Sequence, residues 1–361
     1  MSIKILLLGE FSGFFLNLAA GLRELGHEVT IAAGYDGFKD IAPDVPLEFR
    51  SYKRLARIGT FVLPLVHLSK FKNFDVVQVI HPFTPNVRFF PNIEYFRILK
   101  RYNKKLFLSA AGSDPVYWQL GRSRLRYGPF DDYLRYDIKK ARHKFQTKKL
   151  LQKNYDIAKL FDGIIPVMFD YHVGYRDFKN CRNIIPLPID SGRITYGPLD
   201  FKKGPLNIFH GVTRYGFKGT KFIEEAFEIF GNRYPNDVKL SIQGRLPLDK
   251  YLRVMRKQHV VLDQTNSHSM GMNALASLAL GKITMSGSEE VANEANYGTS
   301  SPAINLNPSK WDVLQKLEEL LDNRSNLHEL SLRGREFITT HHDSKLIAQK
   351  YVNSWFLDDF S

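Results

Sequence analysis

The sequence predicts an α/β protein with two domains, each built on a parallel β-sheet. Three observations lead to this prediction. A chain of 361 residues is too long for one ordinary core. Strand-type and helix-type patterns alternate in both halves, which favours parallel strands joined by helical crossovers. Between the halves, residues 186–205 hold four prolines and three glycines with little apolar periodicity, as a linker does.

The first half opens with a strand, a loop and an amphipathic helix. Ile3–Leu8 has the pattern of a buried strand, and apolar residues at helical spacing follow the flexible loop 9–13. The helix is expected to end at Gly26. Further strands are predicted at these positions: Val29–Ala33, Val76–Ile80, Lys105–Ser109, Gly163–Val167 and Asn183–Leu187.

The second half repeats this alternation after the linker. Strands are predicted near Ile208 and at Val238–Gln243, Val260–Leu262 and Ile283–Ser286; helices are predicted at 220–230, 248–257, 272–280, 311–321 and 344–355. The domains are therefore expected at 1–187 and 207–343, joined by 188–206, with helix 344–361 packing back on the first. Two Rossmann-like domains would then face each other across a cleft, where ligand sites commonly lie.

Composition narrows the classes of function. Hydrophobic residues make up 43% of the chain and aromatic residues 13%, as in a globular protein. A single cysteine, Cys181, favours a reducing cytoplasm, and neither a secretory signal nor a membrane-spanning apolar run is visible. The net charge of +14 favours an anionic partner: nucleic acid, anionic lipid or a phosphorylated substrate.

The segment HGVTRYGFKGT, residues 210–220, carries the most specific functional signal. It follows a short apolar strand and leads into a helix that begins at Thr220. Free N–H groups and the positive end of the helix dipole favour an anion there. Arg214 and Lys218 add two cations, which suits a diphosphate. The alternative is that both are solvated surface residues.

A second helix start is predicted on the same sheet. Strand Val260–Leu262 ends in a polar loop with Asn266, His268 and Ser269, and Gly271 allows a ligand close to the backbone. The apolar residues that follow mark a buried helical face. Two such helix starts favour a nucleotide-diphosphate site more strongly than one does.

With these motifs, the chain resembles a GT-B glycosyltransferase of the retaining family 4 group. The resemblance covers GHEV at 26–29, GSD at 112–114, the linker, HGVTRYGFKGT and GMNALASLALGK. It implies that the second domain binds a nucleoside-diphosphate sugar and the first domain an acceptor. Arg214 and Lys218 match the basic pair that grips the donor diphosphate. The implied donor-binding residues are His210, Gly211, Gly219, Thr220, His268, Ser269, Gly271, Met272 and Asn273.

The sequence departs from that family pattern at several positions. Members usually carry two glutamates, and the matching positions here hold His268 and Ala276; a histidine of the family is replaced by Ala111. An unusual donor, another ribose contact, weak activity or a non-catalytic copy would each explain these losses. Glu289 and Glu290 are candidates for a replacement sugar contact, although a solvated pair is the alternative.

Acceptor contacts are expected at loops that end strands of the first domain. The candidate residues are Gly9, Glu10, Phe11, Gly13, His81, Ser113 and Asp114. Each polar candidate has a structural alternative: Glu10 as a solvated carboxylate, His81 as a packed histidine and Asp114 as a helix cap.

Retaining transfer by same-face attack needs no enzyme nucleophile. The main task is to stabilise the charge that grows on the leaving diphosphate, which suits Arg214, Lys218 and the helix dipole. The sequence shows no strong metal-ligand cluster, so a reaction without a metal or cofactor is expected.

Two basic segments suggest where the protein resides. Cationic and apolar residues are interleaved in the segments Lys53–Lys72 and Arg122–Lys153. This pattern favours peripheral docking on the cytoplasmic face of an anionic membrane. Ordinary solvated helix faces are the alternative, and nucleic-acid binding is disfavoured because no recognised module accompanies the charge. The expected acceptor is lipid-linked or a polysaccharide.

Two other functions remain as hypotheses. One is a non-catalytic protein that binds sugar nucleotides or glycans on the same fold. The other is a nicotinamide-dependent oxidoreductase, which is disfavoured because GEFSG at 9–13 lacks the third glycine of the dinucleotide-binding pattern.

Overall fold

The computed structural model describes residues 2–49, 61–85, 87 and 90–357. The chain divides into two compact units. The first contains Met1–Arg124, Lys144–Asp190 and Asp343–Ser361, and the second contains Leu125–His143 and Ser191–His342. The chain therefore passes from one unit to the other more than once.

The first unit is built on a six-stranded parallel sheet with the strand order β3-β2-β1-β4-β5-β6. Its strands are β1 Lys4–Leu8, β2 Glu28–Ala33, β3 Val45–Pro46, β4 Val76–Val79, β5 Lys105–Ala110 and β6 Gly163–Pro166. Strands β1, β4 and β5 lie at its centre and are almost fully buried, as their apolar runs predict.

One predicted strand is wrong. Residues 183–187 make no ladder with the described part of the sheet; only an isolated bridge at Cys181 and one hydrogen bond from Ile185 N to Pro166 O tie the segment to β6. Pro186 and Pro188 lack the N–H groups that a ladder requires, which explains why the pairing stops there.

Helices cover this sheet. The longer ones are Phe14–Glu24, Asn92–Tyr102, Lys148–Ala158, Phe169–Tyr175 and Ser344–Phe356; shorter helical turns are Gly37–Lys39, His67–Lys70, Tyr117–Gly121, Arg122–Arg124 and Lys144–Gln146, and residues 61–66 are also helical. Helix Ser344–Phe356 packs closely on Phe14–Glu24. A side chain at Gly21 would collide with the carbonyl group of Ser344, so this glycine permits the contact.

The second unit is built on a five-stranded parallel sheet with the order β11-β10-β9-β7-β8. Its strands are β7 Leu206–Val212, β8 Val238–Gly244, β9 Val260–Leu262, β10 Ile283–Ser286 and β11 Ile304–Asn305. Its helices are Phe130–Asp132, Tyr133–Ile138, Tyr215–Lys218, Thr220–Arg233, Leu248–Arg256, Met272–Ala279, Glu290–Tyr297, Lys310–Asp322, Arg324–Asn326 and Leu327–His341.

Residues 125–143 belong to the second unit and contact its helix Tyr215–Lys218, although the sequence suggests a first domain that runs unbroken over 1–187. The Asp137 carboxylate accepts a hydrogen bond from the Phe217 backbone N–H at 2.9 Å. Asp132 accepts a hydrogen bond from the amide of Asn266 at 3.2 Å and pairs with Lys221 at 3.6 Å. Asp132 and Asp137 thus attach this basic segment to the second unit, and no sequence pattern predicts that attachment.

Candidate functional site

The candidate site of the second unit is built where β7 ends. The strand leads into the short helix Tyr215–Lys218, and the helix Thr220–Arg233 begins one residue later. Gly219 joins the two helices with φ at 70°, in the left-handed region, and a side chain there would collide with the Thr265 hydroxyl. The predicted helix start at Thr220 is confirmed.

Lys218 is not a solvated cation. Its side chain is 6% exposed, and its Nζ lies 2.5 Å from Oδ1 of Asp263, whose side chain is 2% exposed. The same ammonium donates to the Gly211 carbonyl at 2.9 Å. The lysine therefore joins the end of β7 to the end of β9. The fold brings these two residues together across 45 positions of the chain.

Arg214, in contrast, is exposed at the turn before helix Tyr215–Lys218. Its guanidinium lies 3.6 Å from the centre of the Phe217 ring and 6.0 Å from that of Tyr133. Stacking on an aromatic face orients a guanidinium without neutralising its charge. Arg214 is thus the cation of the predicted pair that has its charge available to a ligand.

His210 ties the strand end to the next helix. The ring is fully buried; its Nδ1 lies 2.9 Å from the Leu262 carbonyl oxygen and its Nε2 2.9 Å from the Thr220 hydroxyl. A carbonyl only accepts, so Nδ1–H donates to Leu262 and Nε2 accepts from Thr220. Burial, with a contribution from Lys218, lowers the pKa of His210 to about 4. The ring is neutral and acts as a structural connector.

This histidine makes the unit sensitive to acid. Because its pKa is depressed in the folded protein, its stabilising contribution is complete above about pH 6.5 and is lost as the pH falls towards 4. We expect wild type to lose about 3 kcal/mol more than His210→Gln over that range, at 1.36 kcal/mol per pKa unit. Chemical unfolding of both proteins from pH 7.5 to 4 would test this, with the exposed His328→Gln as control; parallel curves would contradict it.

The loop after β9 is polar and buried along its whole length. Residues 263–270 are each less than a tenth exposed. Ser269 accepts a hydrogen bond from Asn296 Nδ2 at 3.3 Å. Gly271 precedes helix Met272–Ala279, and both Met272 and Asn273 are half-buried at its start. A buried loop of this kind is held by its own hydrogen bonds, so its backbone can present a fixed surface to a ligand.

His268 lies in a cluster that sequence reasoning missed. Its ring stacks on Tyr127 with centroids 4.1 Å apart and an angle of 15° between the planes. The Tyr127 hydroxyl donates to Oε1 of Glu289 at 2.7 Å, and Arg126 pairs with the same oxygen at 2.5 Å. Glu289 is 15% exposed, so the interpretation of Glu289 and Glu290 as a solvated pair is wrong for Glu289 and holds for Glu290, which is exposed.

In the first unit, Glu10 closes the start of a helix. Its two carboxylate oxygens accept from the backbone N–H groups of Gly13 at 2.9 Å and Leu16 at 2.8 Å. Burial raises the pKa of Glu10 to about 7, although the two hydrogen bonds act in the opposite direction and lower it. Gly9 and Gly13 both adopt positive φ, at 100° and 85°, which lets the loop turn sharply from β1 into the helix. The alternative of a solvated carboxylate at Glu10 is wrong.

His81, Phe11 and Ser113 meet at the ends of β1, β4 and β5. The His81 Nδ1 accepts from Phe83 N at 3.2 Å, so its Nε2–H donates to the Ser113 carbonyl at 3.0 Å. The Phe11 ring packs edge-on against the imidazole, with centroids 5.8 Å apart. Burial lowers the pKa of His81 to about 4. This neutral, enclosed ring fits the structural interpretation of His81.

Asp114 also has structural partners. One carboxylate oxygen accepts from the Tyr117 backbone N–H at 2.8 Å, and the other accepts from the Tyr175 hydroxyl at 2.5 Å. The residue therefore caps the helical turn Tyr117–Gly121, and burial raises the pKa of Asp114 to about 6. A role for Glu10, His81, Ser113 and Asp114 in acceptor binding stays a prediction.

Within the described ranges, no group of three or more His, Cys, Asp and Glu side chains could hold a metal ion. No described helix is long and apolar enough to cross a membrane.

The two parallel-sheet α/β units match solved structures with the GT-B fold of glycosyltransferases, which confirms the predicted fold class. Membership of the retaining family 4 group stays a prediction. Sequence comparison finds no matching protein-family model and no significant match among curated proteins.

Solved structures with this fold match almost the whole chain. Sucrose-phosphate synthase from Thermosynechococcus elongatus matches with a TM-score of 0.64 and 13% identity, covering 99% of this chain and 100% of that one. Anabaena HepE in complex with UDP and glucose matches with a TM-score of 0.61 and 11% identity, covering 98% and 99%. A Listeria monocytogenes protein assigned as a UDP-N-acetylglucosamine 2-epimerase matches with a TM-score of 0.56 and 12% identity, covering 99% and 98%.

Proposed function

We propose that this protein is a glycosyltransferase that moves a sugar from a nucleoside-diphosphate sugar to a lipid-linked or polysaccharide acceptor, with retention. The observation that carries the proposal is the end of β7: an exposed, ring-stacked Arg214 stands beside the buried Lys218 and the start of helix Thr220–Arg233. Three solved structures of Anabaena HepE, which has the same fold, contain UDP, UDP with glucose, and UDP-glucose.

Arg214 supplies the main charge for the reaction. As the bond from sugar to diphosphate breaks, negative charge grows on the departing phosphate, and a cation fixed before the step stabilises it without reorganisation. No side chain caps the start of helix Thr220–Arg233 or of helix Met272–Ala279, and the positive end of each helix dipole favours a phosphate there. The leaving phosphate takes the acceptor's proton, and the scheme needs no metal or other cofactor.

The alternative is a non-catalytic protein that binds sugar nucleotides or glycans. The observation that favours it is that His268 and Ala276 occupy the two positions where the family usually carries glutamates.

For an active transferase, another carboxylate is needed. Tyr127 stacks on His268 and donates a hydrogen bond to Glu289, and we assign Glu289 as the carboxylate that contacts the transferred sugar in place of the two missing glutamates. An enzyme that isomerises a nucleotide sugar would use the same donor site.

A donor panel tests the proposal. We expect one nucleoside diphosphate and its sugar, among those of uracil, adenine, guanine and cytosine, to raise the melting temperature of the protein. Incubation of that nucleotide sugar with glycan or lipid-linked acceptors should then release the nucleoside diphosphate and yield a product that retains the anomeric configuration. Binding without turnover over a long incubation would favour the non-catalytic alternative, and an isomerised sugar without transfer would favour an epimerase.

Membrane docking is part of the proposal and rests on the first unit. Val62 and Val66 are 47% and 60% exposed on the helical segment 61–66, four residues apart and so on one face, and Lys70 and Lys72 are exposed nearby. Residues 53–60 of the predicted Lys53–Lys72 segment, with Arg54 and Arg57, lie outside the described residues. Residues 125–143 of the other basic segment belong to the second unit.

We expect the protein to sediment with vesicles that contain anionic lipid and to be released by salt, since each nearby cation contributes about 1 kcal/mol. The variant Val62→Ser/Val66→Ser should bind these vesicles more weakly than wild type, whereas Val291→Ser, at an exposed valine of the second unit, should bind as wild type does. Equal binding to neutral and anionic vesicles would contradict the electrostatic mechanism.

A further inference from the structure

The Asp263 carboxylate lies between a cation and a helix start. Its Oδ1 is 2.5 Å from Lys218 Nζ. Its Oδ2 lies 3.5 Å from the position that a Cβ would occupy on Gly271, the residue that precedes helix Met272–Ala279. An anion is favoured at such a place by both neighbours. The structure therefore already holds one negative charge at a point where a diphosphate would be attracted.

Two buried hydroxyl groups beside this pair have no hydrogen-bond partner among the described residues. The Tyr251 hydroxyl reaches the backbone of Gly211, whose carbonyl accepts from Lys218, and the side chain is 8% exposed. The Thr265 hydroxyl lies against Gly219, and Thr265 is fully buried. Buried hydroxyls are normally satisfied, so these two indicate that further polar atoms belong at this place. Oxygen atoms of a bound phosphate would satisfy them.

We propose that Asp263 is a resident counter-ion for Lys218, and that the diphosphate of a nucleoside diphosphate competes with this carboxylate for the lysine. The inference rests on the proposed function and deepens it. The pair carries no net charge, so of the two cations Arg214 provides its full positive charge to the ligand, and Lys218 does so only once it is released from Asp263. Asp263 thereby weakens the binding of the nucleoside diphosphate and accelerates its departure after transfer. Asp263 is a positioning residue, because it acts through the lysine.

The test is Asp263→Asn in the full chain. The amide keeps the size of the side chain and an oxygen that accepts from Lys218 Nζ, but it removes the negative charge. We expect calorimetric titration with UDP, ADP, GDP, CDP and inorganic pyrophosphate to give a Kd at least tenfold lower than in wild type for whichever of them wild type binds. The gain should shrink in high salt. Asp249→Asn, at an exposed carboxylate of helix Leu248–Arg256, should bind as wild type does.

If Asp263 had only a structural role, its replacement would raise the Kd, because the site would be less well ordered. Unchanged or weaker binding by folded Asp263→Asn would therefore overturn the proposal. If that variant does not fold, Asp263→Ser is titrated instead, because its neutral side chain also removes the charge that holds Lys218 while the lysine is kept. It should bind the same probe at least tenfold more tightly than wild type does, and unchanged or weaker binding overturns the proposal.

The two failures can be told apart. Wild type and Asp263→Asn could both bind a nucleoside diphosphate while no sugar transfer is found. The proposed function would then be wrong, and the difference between the two Kd values would still test the role of Asp263. If neither protein binds any of these five anions, the competition proposed for Asp263 is overturned together with the donor site.

Discussion

Replacing Arg214 by alanine is expected to lower the rate of sugar transfer by about 100- to 1,000-fold, the cost of removing one preorganised group that stabilises transition-state charge. Arg214 is exposed and stacks on Phe217, so the protein should keep its stability. The effect should be concentrated in kcat if the guanidinium acts mainly as the phosphate leaves, and in KM if it acts mainly on the bound donor.

The control for this prediction is Arg253→Ala, which removes an exposed arginine from helix Leu248–Arg256 of the same unit. It should transfer sugar at the wild-type rate. Arg214→Lys should recover part of the lost rate, because an ammonium retains the charge but cannot form two parallel hydrogen bonds. Wild-type turnover by folded Arg214→Ala, with the donor found in the panel, would contradict the assignment of Arg214.

Replacing Lys218 by methionine is expected to lower the free energy of unfolding by about 3–5 kcal/mol, because it leaves a buried carboxylate without its partner. Lys218 is 6% exposed and Asp263 2% exposed, so hydration of the remaining carboxylate compensates for little of the lost ion pair. Loss of activity in this variant would then mix two effects. Unfolding in urea, followed separately from activity, distinguishes them.

Two further variants make this prediction specific. Lys218→Met/Asp263→Leu should recover most of the lost stability, since a buried ion pair replaced by apolar groups is often neutral or stabilising. Lys221→Met removes a lysine whose pair with Asp132 is longer, at 3.6 Å, and partly exposed, so its cost should be about 1 kcal/mol or less. Equal losses in Lys218→Met and Lys221→Met would show that the buried pair is not a main source of stability.

The regular elements were predictable because their signals are local. Apolar runs bounded by polar loops predicted β9 and β10 at their observed ends, and the Gly219-Thr220 step predicted the start of a helix. The short strands β3 and β11 were missed. Each has only two residues, which is too few to show a period.

The partners of the site residues were not predictable in the same way. The Lys218–Asp263 pair joins residues 45 positions apart, and Tyr127 reaches Glu289 across 162 positions. A basic residue in a glycine-rich loop has the same local sequence whether it is solvated or buried. One signal was present for the pair: an acidic residue directly after the buried strand β9, next to β7 in the sheet. A parallel sheet brings the ends of neighbouring strands together.

The sequence by itself determined the two parallel sheets, the positions of most helices and the placing of Arg214 and Lys218 at the end of a strand, because periodicity and turn chemistry act within a few residues. Only the tertiary structure decided which charges are available. It buried Lys218 against Asp263, left Arg214 exposed, and attached residues 125–143 to the second unit. The physical reason is that the charge a side chain offers to a ligand depends on burial and on partners, and both arise from contacts between residues distant in the chain.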